Sequence, residues 1–391
     1  MKKLFYITIM TMLIFVGKNI NAQTTTAVPF LLLAPDSRAG GIGESGVGLA
    51  DNAAAIFWNP AGIAFLTGSE ISLTHSNWLA NLNIPDLFYE YFAYRQYIES
   101  IGGSLTASIT FMNFGEFIRT NSSGQETGKF NSFDGALTVG YATKLSDDWG
   151  LGFNFRLIHS KLSDKPTELE EGEGKATTVS FDIAAMWRPE ELNIPFVGDM
   201  GNRFSLGMNL SNLGPKISYI DQAQADPLPT NFRLGTAIRL FEDDFNSLTY
   251  TLDFSKLLVT KIDPNDTTAT SSDRDEFYKA IFTAWADDPI KEELRDVVTS
   301  MGLEYWYGAP ENFMFALRTG FFYEDPDYGN RKFITIGAGI RYQDYAFDFS
   351  YITTSMFKNG EDHPLSETIR FSLSIGWDNV LNSNKGFPRG L

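Results

Sequence analysis

The C-terminal third of the chain alternates in a way that few folds can accommodate. From Lys332 to Tyr342, Ile334, Ile336, Ala338, Ile340 and Tyr342 alternate with Phe333, Thr335, Gly337, Gly339 and Arg341. Tyr345, Phe347, Phe349 and Tyr351 then alternate with Asp344, Ala346, Asp348 and Ser350, and Ile369 to Trp377 repeats the pattern around Arg370, Ser372 and Ser374. Period two marks β-strands. About nine to eleven residues is also the length of a tilted strand that crosses a bilayer. In a soluble sandwich the apolar side would face a core, whereas in a membrane barrel it would face lipid and the polar side a lumen. Local alternation does not separate the two.

Turn spacing favours the barrel. Strand-like runs fall near 69–82, 86–99, 102–119, 131–146, 148–162, 174–188, 201–213, 228–240, 246–260, 298–308, 312–323, 330–342, 344–357 and 366–378. That makes about fourteen, and an even number lets a single-chain bacterial barrel close with both ends on one side. One set of connections is short, around Gly102-Gly103, Asp147-Asp148, Glu242 to Phe245, Gly308 to Asn312 and Gln343. The other is longer and polar: Thr120 to Phe130, Ser163 to Gly174, Leu213 to Pro227, Thr260 to Val297 and Lys358 to Leu365. Short periplasmic turns opposite long outer loops is the asymmetry of outer-membrane barrels. Pro189 to Met200 is too long for the short side, and Glu324 to Gly329 is brief for the long one.

The N-terminus sets the compartment. Lys2 and Lys3 precede an apolar run from Leu4 to Val16, and Asn21-Ala22-Gln23 offers a small residue for cleavage, the order of a secretory signal. Residues 1–22 are expected to be removed, 23–68 to form a lumenal insert, 69–378 the barrel with its long loop 260–297, and 379–391 a tail. The chain has no cysteine, so disulfides and thiolate chemistry are excluded. A net charge of −17 argues against nucleic acid, whose phosphates demand a basic surface. Aromatics are plentiful (33 Phe, 16 Tyr, 7 Trp) while mean hydropathy is only −0.14, as suits strands apolar on one face.

Ahead of the first strand lies Ala34 to Phe65, rich in Gly and Ala and closing on Trp58-Asn59-Pro60-Ala61-Gly62. Small residues allow tight turns and close backbone approach. Gly41-Ile42-Gly43-Glu44-Ser45-Gly46 satisfies the dinucleotide-binding spacing, but it has no βαβ context and no acidic residue about 20 positions on. Gly40, Gly41 and Gly43 read better as room for a compact insert. His75, His159 and His363 are dispersed, and no nucleophile elbow or zinc spacing accompanies them. Glu168 to Glu173 and Asp263 to Asp275 are carboxylate-rich without the spacing of a strong calcium loop. Neither an enzyme nor a cofactor or metal is expected.

The Gly-rich segment ending in Asn59-Pro60-Ala61-Gly62 resembles the hatch of FadL-type outer-membrane barrels. Ala34-Pro35-Asp36-Ser37-Arg38-Ala39-Gly40-Gly41 with Trp58-Asn59-Pro60 is closer to one branch, PorV of the type IX secretion system. Gly329 to Phe333 and Pro364 to Leu373 resemble it too, so the likeness runs over most of the mature chain. It implies an all-β, about 14-stranded antiparallel barrel in the outer membrane of a Gram-negative bacterium, with a hatch inside the lumen. The implied partners are the type IX translocon barrel, cargo C-terminal domains and the sortase attachment complex, with outer-membrane lipid or lipopolysaccharide around the wall. The rival reading is a FadL-like channel for fatty acids or other hydrophobic small molecules, which needs a continuous apolar path past the hatch. A third is a scaffold that merely seals a neighbouring channel.

Two residue sets carry these expectations. Arg156, Asp253, Arg341, Asp348 and Arg370 fall at lumenal positions of the alternation. In a plugged barrel they would pair with each other or with Asp36, Arg38, Glu44 and Asp51 of the insert; in an open pore they would be solvated and set ion preference. In the long loop, Phe277, Ile281, Phe282 and Trp285 have helical spacing on one side. They either lid the barrel mouth or dock a partner.

Overall fold

The computed structural model describes residues 26–80, 86–164, 174–221, 224–262, 269–309, 313–353 and 365–377. The signal segment, the C-terminal tail, Glu168 to Glu173 and His363 lie outside them. Fourteen antiparallel strands close into one barrel. They are Ser69–Asn77 (β1), Phe88–Ile98 (β2), Gly103–Thr120 (β3), Glu126–Lys144 (β4), Trp149–Lys161 (β5), Lys175–Trp187 (β6) and Phe204–Leu213 (β7). The circuit continues through Asn231–Glu242 (β8), Asn246–Leu257 (β9), Val298–Gly308 (β10), Met314–Tyr323 (β11), Lys332–Tyr342 (β12), Tyr345–Ile352 (β13) and Ile369–Trp377 (β14). Each strand pairs with its neighbours in sequence, and β1 closes on β14 from Ser69↔Trp377 to Ser76↔Arg370.

Burial decides which side is which. In β14, Phe371, Leu373 and Ile375 are 42%, 49% and 38% exposed, while Arg370, Ser372 and Ser374 are buried. The same inversion holds in β5, where Phe153, Phe155 and Leu157 are exposed and Asn154 and Arg156 buried. A soluble sandwich buries its apolar side; here it faces outward, which only lipid makes favourable. Aromatic rings gather at both ends of this belt. Trp149 stacks on Trp187 at 6.2 Å and Tyr94 on Trp377 at 6.3 Å near the short turns. Phe88, Phe111, Phe133 and His159 follow one another around the other end. Trp149 and His159 are ten residues apart on β5. That is roughly 33 Å of strand, or about 25 Å of height at a tilt near 40°, the thickness expected of an outer-membrane apolar band.

The connections alternate between a turn end and a loop end, with one correction. The polar stretch Thr120 to Phe130 is not a long loop. β3 and β4 continue through it to a tight turn at 121–125, in which the Gln125 and Asn121 backbones pair at 2.9 Å. Phe117 and Phe130 stack across this projecting hairpin at 5.7 Å. A cross-strand aromatic pair extends a ladder past the membrane where composition alone suggests a loop. The first strand, conversely, stops at Asn77 rather than running to residue 82. On the turn end, the connection from β6 to β7 folds a small hairpin, Asn193–Ile194 against Gly198–Asp199.

Candidate functional site

Residues 27–66 lie in the bore of the barrel and are buried almost throughout. Four short pieces of helix carry the path, the first being the 3-10 turn Pro29–Leu32. Asp36 caps Ser37–Gly41, accepting from the Ala39 amide at 3.0 Å, and its other oxygen accepts from Trp58 Nε1 at 2.7 Å. One carboxylate thus joins the two conspicuous ends of the motif, holding Trp58 over Gly46. Ala55–Trp58 then stops at Pro60, which lacks the amide to continue and starts the 3-10 turn Pro60–Phe65. Asn59 bridges them: its Oδ1 accepts from the Ala61 amide at 3.1 Å and its Nδ2 donates to the Val47 and Ala185 carbonyls.

Glycines on both partners set how closely segment and wall approach. A Cβ at Gly152 of β5 would lie 2.5 Å from the Pro60 carbonyl carbon, and within the segment one at Gly62 would lie 2.1 Å from Ala50 O. Gly43 has φ +76°, and a Cβ there would sit 2.5 Å from Met301 O. Gly40 and Gly41 bring the helix Ser37–Gly41 against Ser350, Arg370, Gly337 and Arg318 of the wall. Ala61 is fully buried.

Charge fixes the rest. Arg38, 2% exposed, donates through Nε and Nη2 to both oxygens of Glu304 at 2.8 and 2.7 Å and also pairs with Asp51. Glu304 is shared with Arg318 at 2.7 Å, whose Nη1 lies 2.6 Å from Asp348. Arg370 reaches Glu44 at 2.8 Å. Asp253 accepts from the Gly46 and Val47 amides at 2.7 and 2.8 Å. Arg156 stays within the wall, bound to Asp182, and Arg341 lies over the Trp306 ring at 4.1 Å. Arg38, Asp253 and Arg370 therefore join segment to wall, while Arg156, Arg341 and Asp348 meet groups of the wall. Sequence reasoning missed Glu304, Arg318 and Asp182. The signal was present in Glu304, a carboxylate between the outward Leu303 and Tyr305.

At the loop end, residues 258–262 and 269–297 form a platform with helices Phe277–Thr283 and Ile290–Arg295. Along the first helix and its cap Ala280 and Ala284 are buried, with Phe277 and Ile281 half-buried beside them. Phe277 and Ala280 line a small cavity with Leu228, Leu258 and Val259. Phe282 turns away and is 74% exposed; Trp285 leans edge-on against Phe232 of the outer wall at 5.7 Å. The four residues thus divide between an inner and an outer side of the helix. Tyr278, Ile290 and Leu294 are also exposed. Asp287, Asp288 and Glu293 converge, but Lys256 meets Glu293 at 2.8 Å and Lys261 meets Asp288, so this cluster is an ion-pair network.

Arg295 pins the platform to the next loop, pairing with Asp325 at 2.8 Å and with Asp327. Partial burial opposes ionisation of Asp325, but hydrogen bonds from Arg295 and the Asp327 amide outweigh it and hold its carboxyl below the ordinary range. A lowered folded pKa contributes stability above the unfolded value, about 3.9, and loses it as pH falls through the folded one. Amide exchange in 285–297 is therefore expected to stay slow from pH 7 to 5 and to accelerate below about pH 4. Exchange rising already at pH 6, relative to the intrinsic rate, would show that this clamp does not hold the platform.

His75 and His159 both point outward, to Glu90 at 2.7 Å and Thr177 at 2.9 Å, so neither shares a site with the other. A family model described as type IX secretion system protein PorV matches residues 17–264, more than half of the chain. The chain belongs to the PorV family. It is an outer-membrane component of the type IX secretion system. No curated individual protein matches. Among solved structures, the Ralstonia pickettii toluene transporter TbuX is 12% identical, with 87% of this chain and 97% of that one covered at a TM-score of 0.47. A Pseudomonas aeruginosa FadL homologue is 12% identical over 88% and 98%, TM-score 0.47, and the Pseudomonas putida toluene transporter TodX 9% over 90% and 97%, TM-score 0.47. PorV membership places this barrel in protein transport, and its closed sheet and outward apolar belt fit the outer membrane.

Proposed function

We propose that this PorV-family barrel associates with the type IX translocon barrel, binds the C-terminal signal domain of exported cargo at its loop end, and hands that cargo to the sortase attachment complex. The observation that carries the cargo-binding part is the platform of residues 258–262 and 269–297. It is tied down by Lys256, Lys261 and Arg295, yet leaves Tyr278, Phe282, Trp285, Ile290 and Leu294 exposed among carboxylates. Apolar anchors in a charged surround bind tightly while discouraging wrong partners. The inner segment serves as the hatch: its ties to Glu304, Asp253 and Arg370 keep the bore closed while cargo is handled outside.

A second reading, uptake of hydrophobic small molecules, is favoured by one feature. A cleft of mixed lining (Leu257, Val298, Phe322, Arg331) reaches down to Glu44 and Trp58. A single strain series separates the two. With the gene deleted, or carrying Phe282→Ser and Trp285→Ser together, surface display of cargo bearing the C-terminal domain is expected to fall about tenfold or more, the effect of losing roughly 1.4 kcal/mol or more of binding. Uptake of a labelled fatty acid should be unchanged, and the variant barrel should be present at the normal level. Normal cargo display with lost uptake would reverse the assignment.

A further inference from the structure

The turn end carries a feature that neither cargo docking nor the hatch uses. Between β6 and β7, where other connections on that side are a few residues long, the chain makes the hairpin Asn193–Ile194/Gly198–Asp199, closed by Met200 N donating to Leu192 O at 2.6 Å. Its tip is Pro195-Phe196-Val197. Phe196 is fully exposed and Val197 67% exposed. Phe196 holds φ +70° at the third position of the turn that Val197 N closes by donating to Ile194 O at 3.1 Å, a conformation costly for a bulky side chain. Leu145, 71% exposed, stands on the neighbouring turn, which is tied to the hairpin base by Glu190 N donating to Asp148 Oδ1 at 2.9 Å.

The charge of the hairpin itself has one sign. From Pro189 to Asn202 the chain carries Glu190, Glu191 and Asp199, all exposed, and no Lys or Arg. The flanking cations are turned away: Arg188 donates to Leu49 O at 2.6 Å, and Arg203 to the Arg239 and Leu240 carbonyls. On the neighbouring turn Asp147 adds an exposed carboxylate, while Lys144 beside Leu145 lies over the Phe65 ring at 5.3 Å. A segment that dips into a bilayer surface is typically rimmed with Lys and Arg instead. A phenylalanine knob in a carboxylate collar is the complement of an apolar pocket edged with basic side chains.

We propose that the hairpin 189–201 is a docking finger for a soluble periplasmic protein that offers a basic-rimmed apolar pocket to Phe196 and Val197. The proposal rests on the outer-membrane orientation, with short turns facing the periplasm, and is independent of cargo binding at the opposite end. The test places p-benzoylphenylalanine at Phe196 in the full chain and irradiates intact cells. The expected result is a discrete protein adduct whose yield falls at least fivefold in Glu190→Lys/Glu191→Lys/Asp199→Lys. That yield should also fall in spheroplasts at high salt, and stay unchanged in the Phe282→Ser/Trp285→Ser barrel. A phospholipid adduct would make the tip a membrane contact and overturn the proposal. So would no adduct, or a protein adduct indifferent to the charge reversal. Heat-dependent gel mobility checks that each variant is a folded barrel. If cargo display fails its own test while the charge-dependent adduct persists, only the loop-end reading falls.

Discussion

Arg38→Ala is expected to destabilise the barrel by about 3–5 kcal/mol, the range found when one partner of a buried ion pair is removed. Arg38 satisfies two carboxylates that have almost no contact with solvent: Glu304, fully buried, and Asp51, 1% exposed. Glu304 retains Arg318 after the change, so Asp51 becomes the stranded charge. Arg38→Lys should recover only part of the loss, since an ammonium cannot bridge both carboxylates with the fork that guanidinium provides. Unfolding by denaturant in lipid vesicles reads the stability, and a double-mutant cycle with Asp51→Asn isolates the pair. Because the bond from Arg38 to Glu304 fastens the inner segment to β10, solute permeability should rise in the same variant. Unchanged unfolding together with unchanged permeability would show that the segment is held by something other than this arginine.

Gly43→Val should be nearly as damaging by an unrelated route. The backbone at Gly43 has φ +76°, which costs a residue with a side chain roughly 1–2 kcal/mol and a β-branched one more. The added Cβ would also stand 2.5 Å from Met301 O and 2.7 Å from Phe321 N, wall backbone that has no free rotamer with which to yield. Overpacking of this kind adds about 1–3 kcal/mol. Gly102→Val provides the control: Gly102 has φ +60° with nothing within 4 Å of its Cβ position. The difference between the two variants measures contact between segment and wall, free of the dihedral term. Single-channel conductance should appear for Gly43→Val and remain absent for Gly102→Val. Equal effects would mean that Gly43 matters only for its turn.

Much of the barrel was legible from residue order. Strand boundaries near β5, β7, β10, β12 and β14 follow from strict alternation, and the two-sided pattern of connections follows from where polar, Gly-rich stretches fall. The exception at 121–125 has a physical cause: strand pairing beyond the membrane is stabilised by cross-strand contacts such as Phe117 with Phe130 and Glu116 with Lys129, and these have no lipid-imposed period. At the candidate sites the balance reverses. The lumenal charges could be placed on a face, but their partners could not be named, because Arg38 and Glu304 are 266 residues apart. The helix Phe277–Thr283 was visible as a period, yet the small residues Ala280 and Ala284 proved to be its buried side. Large aromatics are a poor guide to the inner face of a helix that must lie close to a wall.

What the sequence determined by itself is the period, the number of crossings and the crowding of small residues between Ala34 and Phe65. Those are properties of neighbouring residues, so local sterics and hydropathy are sufficient to set them. What the tertiary structure decided is which side faces out, where the insert lies and which charges meet. Closing the sheet turns its polar faces on one another, and only then does the bore have a width. That width admits the Asn59-Pro60-Ala61-Gly62 turn where Gly150 and Gly152 leave the wall bare, and brings Arg38 between Asp51 and Glu304.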